Sequence, residues 1–248
     1  MGDPARLGWL TAQGYAHRGL HGDGLPENSL AAVSAAIGAG LGIECDVRKS
    51  RDGRAIVFHD DELDRLTGHS GTVSASTVGE LTAIRLGSSE EHIPTMRDML
   101  GLVAGRVPIL FELKTDRSKP VVPLCRAVRR DLEGYAGPVA VMSFDPRVGR
   151  WFAQRQPELA RGLVVSEKNA RTLSGSVKRR LAVLHAKPDF LACDVTDFPS
   201  RFAAGQIKHG RKLLCWTVRS AALLETAQAA GATPILEAAG VAAWLSRA

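Results

Sequence analysis

Gly42-Ile43-Glu44-Cys45-Asp46-Val47-Arg48-Lys49 reads as a β-strand that carries charge where a strand normally carries core. Side chains two apart on a strand share a face, so Glu44 and Asp46 point the same way. A second apolar strand, Val107–Lys114, repeats the device with Glu112 and Lys114 on one face. Burying three carboxylates together is costly unless something balances them. A hard divalent cation bound through oxygen would do so. The competing reading is a structural ion network in which Arg18, Arg48 and Lys114 neutralise the acids.

Around these two strands the chain alternates regularly. Strand-like runs at Gly14–Arg18, Gly42–Lys49, Val107–Lys114, Pro138–Phe144, Gly162–Ser166, Phe190–Asp194, Leu213–Val218 and Thr233–Glu237 are each followed by a helical pattern. The helices are expected at Asn28–Ala39, Pro94–Val103, Lys119–Glu133, Arg147–Arg155, Ser176–His185, Ser200–Lys208, Ala221–Ala230 and Val241–Arg247. Asn28 or Ser29 can cap the first helix and Gly40 closes it. Ala55–His59 is an extra short strand. Asp60–Ile93, rich in Gly, Ser and Thr with a helical piece at Val78–Ile84, reads as an insertion. Strands alternating with helices imply parallel strands joined by crossovers, and eight such units in 248 residues fit an α/β fold of the (β/α)8 TIM-barrel type. Residues 1–248 are expected to form one domain, with 60–93 inserted in it. An open doubly wound sheet is the runner-up, but Gly19–Gly24 only loosely imitates its Gly-rich phosphate loop.

Composition narrows the function classes. A net charge of +6 permits an anionic ligand. The basic residues are scattered, however, and groups such as Arg126, Arg129 and Arg130 or Lys178, Arg179 and Arg180 fall in helical segments, which disfavours a nucleic-acid stripe. Aromatic content of 5% argues against base-stacking platforms. Cys45, Cys125, Cys193 and Cys215 are far apart, without the spacing of a zinc site, and fit reduced thiols in a cytoplasmic protein. Residues 1–13 lack the basic start and long apolar run of a secretory signal, and no stretch reaches the length of a membrane span. Stable membrane insertion is therefore not expected, whereas a homo-oligomer is permitted.

Barrel sites lie at the C-terminal ends of the strands. His17 and Arg18 end the first strand, and His59 ends the extra one. Each of these two histidines closes an apolar run and precedes a charged residue, unlike His21, His69, His92, His185 and His209, which fall in loops or at helix ends. An imidazole titrates near neutrality, so two of them can divide acid and base work. Asp60 either orients the His59 ring or is a plain turn residue. Phosphodiester cleavage needs a proton removed, a proton delivered and developing negative charge held. His17 and His59 match the first two needs, and a metal with Arg18 and Lys114 matches the third. Lys114 could instead simply neutralise Glu112.

His17-Arg18-Gly19, Pro26-Glu27-Asn28-Ser29, Glu44-x-Asp46-Val47, Asp52-Gly53, Val57-Phe58-His59-Asp60, Ile93-Pro94-Thr95 and Glu112-x-Lys114 stand in one order. That order resembles the glycerophosphodiester phosphodiesterase family. Ser143-Phe144 and Trp216-Thr217-Val218 look like the family's later strands. The resemblance implies a (β/α)8 barrel with a small insertion after the second strand region. It also implies Mg²⁺ or Ca²⁺ on Glu44, Asp46 and Glu112, His17 and His59 as general base and acid, and Arg18, Lys114, Phe144 and Trp216 at the substrate. In such enzymes a substrate hydroxyl attacks phosphorus and water opens the cyclic phosphate, giving an alcohol and glycerol 3-phosphate.

The last strand departs from the family pattern: Glu237 takes the place of Thr, Ala238 of Asp and Gly240 of Pro, which bears on substrate choice. Three other functions compete. A lysophospholipase D would want an apolar patch at the barrel mouth, and Asp60–Ile93 holds few large apolar residues. A non-catalytic barrel that binds a phosphodiester would not need the full set of expected catalytic residues. A nuclease is disfavoured by the scattered charge.

Overall fold

A computed structural model describes residues 4–22, 24–168 and 170–247. Residues 1–3, part of the stretch that lacks the pattern of a secretory signal, thus lie outside the described residues. The elements run β1 (Tyr15–His17), α1 (Leu30–Gly38), β2 (Gly42–Lys49), β3 (Ala55–Val57), α2 (Asp64–Thr67), α3 (Val78–Thr82), α4 (Met96–Val103), β4 (Ile109–Leu113), α5 (Val122–Leu132) and β5 (Val139–Ser143). They continue with α6 (Pro146–Arg155), β6 (Ala160–Val165), α7 (Leu173–Ala186), β7 (Phe190–Asp194), α8 (Arg201–Lys208), β8 (Lys212–Val218), α9 (Ala221–Ala229), β9 (Thr233–Leu236) and α10 (Ala239–Leu245). Strand order is β1-β9-β8-β7-β6-β5-β4-β2-β3, with β1 also paired to β2. This is the topology of a (β/α)8 barrel, and β3 lies outside the ring.

By internal contacts the chain divides into two compact units, residues 17–139 and residues 1–16 with 140–248. Within the first, β2 and β4 run parallel, with Glu44 across from Leu110 and Asp46 across from Glu112. β3 returns antiparallel on β2, Val47 facing Val57. Ile43, Cys45 and Val47 are fully buried on one side of β2, which leaves the acids on the other. Each such apolar side chain stabilises the fold by about 1.5–3 kcal/mol. The helices begin where small polar side chains cap them. Ser29 Oγ accepts from Ala32 N at α1, and Thr95 with Asp98 closes a capping box on α4.

The segment 60–93 shares a small core with β3 and the residue after it. Ile56, Phe58, Leu63, Val73, Leu81, Leu86 and Ile93 pack together, and a second capping box, Thr77 with Glu80, starts α3. The sequence placed one helical piece here. The structure also forms the single turn α2 and a 3-10 turn at Val73–Ala75, which are too short for a periodic pattern to show.

In the second unit β5 to β9 form a parallel ladder, for example Leu191 across from Leu213, and Tyr15 and Ala16 of β1 add to β9 opposite Ile235 and Leu236. Before β1, Pro4–Thr11 is a 3-10 helix that the sequence reading missed, and Tyr15 donates its buried hydroxyl to the Leu10 carbonyl at 3.1 Å. α7 starts at Leu173, three residues before its expected start. Thr172 accepts from Gly175 N and so caps the helix across a Gly-Ser stretch that reads as a loop.

Candidate functional site

Glu44, Asp46 and Glu112 each present one carboxylate oxygen such that the three lie within 4.8 Å of one another, and all three residues are buried. The strand register produces this: Glu44 and Asp46 alternate along β2, and Glu112 sits directly beside Asp46 on β4. Burial first, then repulsion from Asp46 and Glu112, pushes the Glu44 carboxyl well above its ordinary range. Burial likewise raises Glu112. Asp46 goes the other way. Burial opposes ionisation there, but Lys114 and then Arg18 outweigh it and hold the group down at about 2. The trio is therefore short of positive charge on its Glu44 side, and oxygen ligands of this kind and spacing fit a hard divalent cation.

Two cations border the acids. Lys114, just beyond β4, donates from Nζ to Glu112 Oε1 at 2.6 Å and lies 3.0 Å from Asp46 Oδ1. Burial would lower its pKa, but Glu112 and Asp46 raise it, so it stays charged. Arg18 follows β1 with a left-handed backbone, φ 57°. Its backbone N donates to Glu44 Oε2 at 3.2 Å and its Nη1 to Glu27 Oε1 at 2.7 Å. Its Nε lies 3.2 Å from Asp46 Oδ2, an ion-pair contact rather than an aligned hydrogen bond. Arg48, the third cation in the competing ion-network reading, turns elsewhere: its Nε donates to the His59 carbonyl and Nη1 pairs with Asp61.

Asn28 has a role the sequence did not reveal. Asn28 and Ser29 were both open as caps of α1, and Ser29 takes that place. Asn28 instead sits at φ 59°, donating from Nδ2 to Asp46 Oδ2 at 3.0 Å while its Oδ1 accepts from Asp46 N at 3.1 Å. The reciprocal pair fixes the Asp46 carboxylate. A non-glycine residue in this region costs of order 1–3 kcal/mol and persists where surrounding contacts over-determine it, as they do here.

His17 ends β1 with Nε2 4.0 Å from Glu44 Oε2. His59 lies two residues past the end of β3, which stops at Val57. Its Nδ1 is 2.6 Å from Asp60 Oδ1, so Asp60 does orient the ring. Asp60 Oδ2 accepts from Arg65 Nε at 2.5 Å, and Arg65 Nη2 donates to Glu27 Oε1 at 2.7 Å. A chain of charged hydrogen bonds thus runs from His59 through Asp60, Arg65 and Glu27 to Arg18. Burial would raise both acids, yet Arg65 pulls Asp60 and Glu27 below their ordinary values. Burial lowers His59, Lys114 and Arg18 lower it further, and Asp46 opposes. Arg65 and Glu27 in these roles were not found from the sequence. Glu27 stood in a quoted motif, but nothing signalled a partner 38 residues away. His69, His92, His185 and His209 are exposed, and His21 is half-buried.

In the unit of residues 140–248, Phe144 and Trp216 form an edge-to-face pair at 5.5 Å, and Trp216 Nε1 donates to the Ala192 carbonyl. The departures after β9 have structural correlates. Glu237 makes a two-pronged pair with Arg219 at 3.1 and 2.9 Å. Ala238 stands at φ 50° before α10 and has no side chain to cap it. At Gly240 a Cβ would lie 2.0 Å from the Val218 carbonyl oxygen, so no other residue fits without backbone movement.

A (β/α)8 barrel with three buried carboxylates and two adjacent cations defines a class of protein whose acidic cluster could hold a divalent cation. The model of the glycerophosphoryl diester phosphodiesterase family matches residues 17–237, and the chain belongs to that family. It is 29% identical over 231 residues to the candidate glycerophosphodiester phosphodiesterase YhdW of Bacillus subtilis, covering 89% of this chain and 92% of that one. It is 36% identical to a Bacillus altitudinis glycerophosphodiester phosphodiesterase over 111 residues, 42% of this chain and 45% of that protein. Among solved structures it resembles an Oleispira antarctica phosphodiesterase in complex with the product sn-glycerol-3-phosphate, with a TM-score of 0.82, 24% identity and coverage of 94% and 96%. The Thermotoga maritima glycerophosphodiester phosphodiesterase gives a TM-score of 0.73 at 23% identity, with the same coverage.

Proposed function

We propose that this chain is a metal-dependent phosphodiesterase that hydrolyses small glycerophosphodiesters to an alcohol and glycerol 3-phosphate. The observation that carries the reading is the trio Glu44, Asp46 and Glu112 within 4.8 Å, bordered by Lys114 and Arg18. The trio would hold Mg²⁺ or Ca²⁺. When bound, the ion neutralises charge on the phosphoryl oxygens and lowers the cost of the attack.

The remaining steps belong to the side chains. Asp60 is ionised, so the His59 Nδ1 proton is donated to it, and Nε2 presents a lone pair. His59 takes the proton from the attacking substrate hydroxyl, and His17 delivers one to the leaving alkoxide. The roles reverse when water opens the cyclic phosphate. Lys114 and Arg18 hold the phosphoryl oxygens against the charge that builds in the transition state. Phe144 and Trp216 offer an aromatic edge to the alcohol moiety, and Glu237 with Ala238 adjusts which alcohol fits. Residues 1–248 act as one catalytic domain with 60–93 inserted, and four buried cysteines outside any disulfide suit the cytoplasm. No helix among the described residues is long and apolar enough to cross a membrane.

The test is release of glycerol 3-phosphate from glycerophosphocholine with Mg²⁺, with Ca²⁺ and with EDTA. Release that needs a cation is expected. Release unchanged by EDTA sinks the metal assignment, and no release with any glycerophosphodiester sinks the activity.

A further inference from the structure

α7 has two apolar faces, and only one of them meets the protein. Gly175, Val183 and Ala186 are buried. Leu173, Val177, Leu181 and Leu184 lie on the opposite side, spaced by four, four and three residues, and so form one stripe. Leu173 is 89% exposed and Leu184 71%, and the other two are more than half exposed. Apolar residues scattered singly on a surface need no explanation, but a contiguous stripe does.

The charge around this stripe has one sign. From Lys168 to Pro188 the sequence contains six Lys or Arg and no Asp or Glu. Arg179 turns inward, pairing with Glu167 and lying over the Phe202 ring at 5.5 Å. Arg180 flanks one side of the stripe, and Lys178 with His185 flanks the other. Beside it, between α7 and α8, lies a groove of about 660 Å³. Leu184 and Arg180 belong to both features. The groove also carries Arg201, Phe202, His209 and Arg211, with no acid among its described lining residues.

We propose that the exposed face of α7, with the adjoining basic groove, docks this protein on an anionic phospholipid surface. Leu173, Val177, Leu181 and Leu184 enter the boundary between headgroups and acyl chains. Lys178 and Arg180 bury their stems beside them and keep their charges among the headgroups. The groove takes a lipid phosphate through Arg180, Arg201 and Arg211. A second copy of the chain suits this face less well. Four side chains bury far less than the roughly 1,200 Å² of a stable interface, and pairing two such helices would set like charges together. The inference stands independently of the proposed hydrolysis.

The experiment is co-sedimentation of the full chain with vesicles of phosphatidylcholine alone and of phosphatidylcholine with phosphatidylglycerol. Selective binding to the anionic vesicles is expected, weakening as salt is added. Leu181→Ser with Leu184→Ser should cut partitioning about tenfold or more, and Arg180→Glu by a similar factor. These positions are exposed, so circular dichroism and turnover of a soluble substrate should stay unchanged. Arg126→Ala with Arg129→Ala, on α5, should bind as wild type does. The proposal is overturned by any of four results: no binding, equal binding to neutral vesicles, full binding by the α7 variants, or a solution dimer that Leu184→Ser dissociates.

Discussion

His59→Ala lowers kcat on glycerophosphocholine by about 10²–10⁴, with KM little changed. The size follows from the proposed role of the ring, which is to carry a proton in the transition state while binding little of the ground state. Its burial, reinforced by Lys114 and Arg18, sets the resting imidazole below its ordinary pKa. The reactive form is the neutral one. Activity should therefore be full above that lowered value and fall as pH drops through it, so the acidic limb of kcat/KM lies below the usual histidine position. Arg65→Ala is expected to cost less, about tenfold in kcat, because it acts through Asp60 and touches no substrate. Arg65→Lys should restore little, since an ammonium cannot serve Asp60 and Glu27 with the same fork of donors. Steady-state kinetics with a pH profile decide this. A His59→Ala enzyme within a factor of two or so of wild type removes His59 from the chemistry.

Glu44→Gln should produce two effects of opposite sign. On the proposed metal site it removes a cation ligand and with it several kcal/mol of transition-state stabilisation, about 10³-fold in rate. It also removes a buried charge that repels Asp46 and Glu112, so the EDTA-treated variant should melt above EDTA-treated wild type. For wild type in EDTA, Glu44 and Glu112 have raised folded pKa values. The stability they contribute is present below the ordinary glutamate pKa and is lost as pH rises through the raised values. Asp46, held at about 2, contributes stability that is lost only as pH falls toward that value. Melting temperature in EDTA should therefore climb as pH is lowered from neutrality toward about 5. Saturating cation should reverse the deficit at neutral pH. At a hundredfold excess over Kd it adds about 2.7 kcal/mol, or roughly 5–10 °C for a chain of this size. Calorimetry reads all of this. A variant that still gains the wild-type shift from cation places the ion elsewhere.

How much of this was legible beforehand depended on the range of each interaction. Glu44, Asp46 and Glu112 announced themselves because charge in an apolar, alternating run is anomalous, and alternation alone fixes the shared face. The order of strands and helices was equally visible, since each period is local. Asn28 and Ser29 stood as equal candidates because either polar residue at a helix entrance can cap, and only the fold shows that Ser29 does so while Asn28 grips Asp46. Arg65 was invisible because its partners are set by the path of the 60–93 segment, which has no periodicity. The stripe on α7 was hidden in plain sight. Its apolar residues are mixed with Lys178, Arg179 and Arg180, and only the structure shows which of them stay outside.

Phe58 belongs to the small core of the 60–93 segment and immediately precedes His59, while Arg65 rises from α2 within the same segment. His59 thus sits beside a satellite of seven buried side chains and is also tied to β2, where Arg48 donates to its carbonyl. Such a satellite can loosen at a lower free energy than the whole molecule. On warming, catalysis would fail first, at a temperature where the barrel is still intact, and would recover on cooling: a reversible thermal cut-off set by a handful of residues beside the barrel.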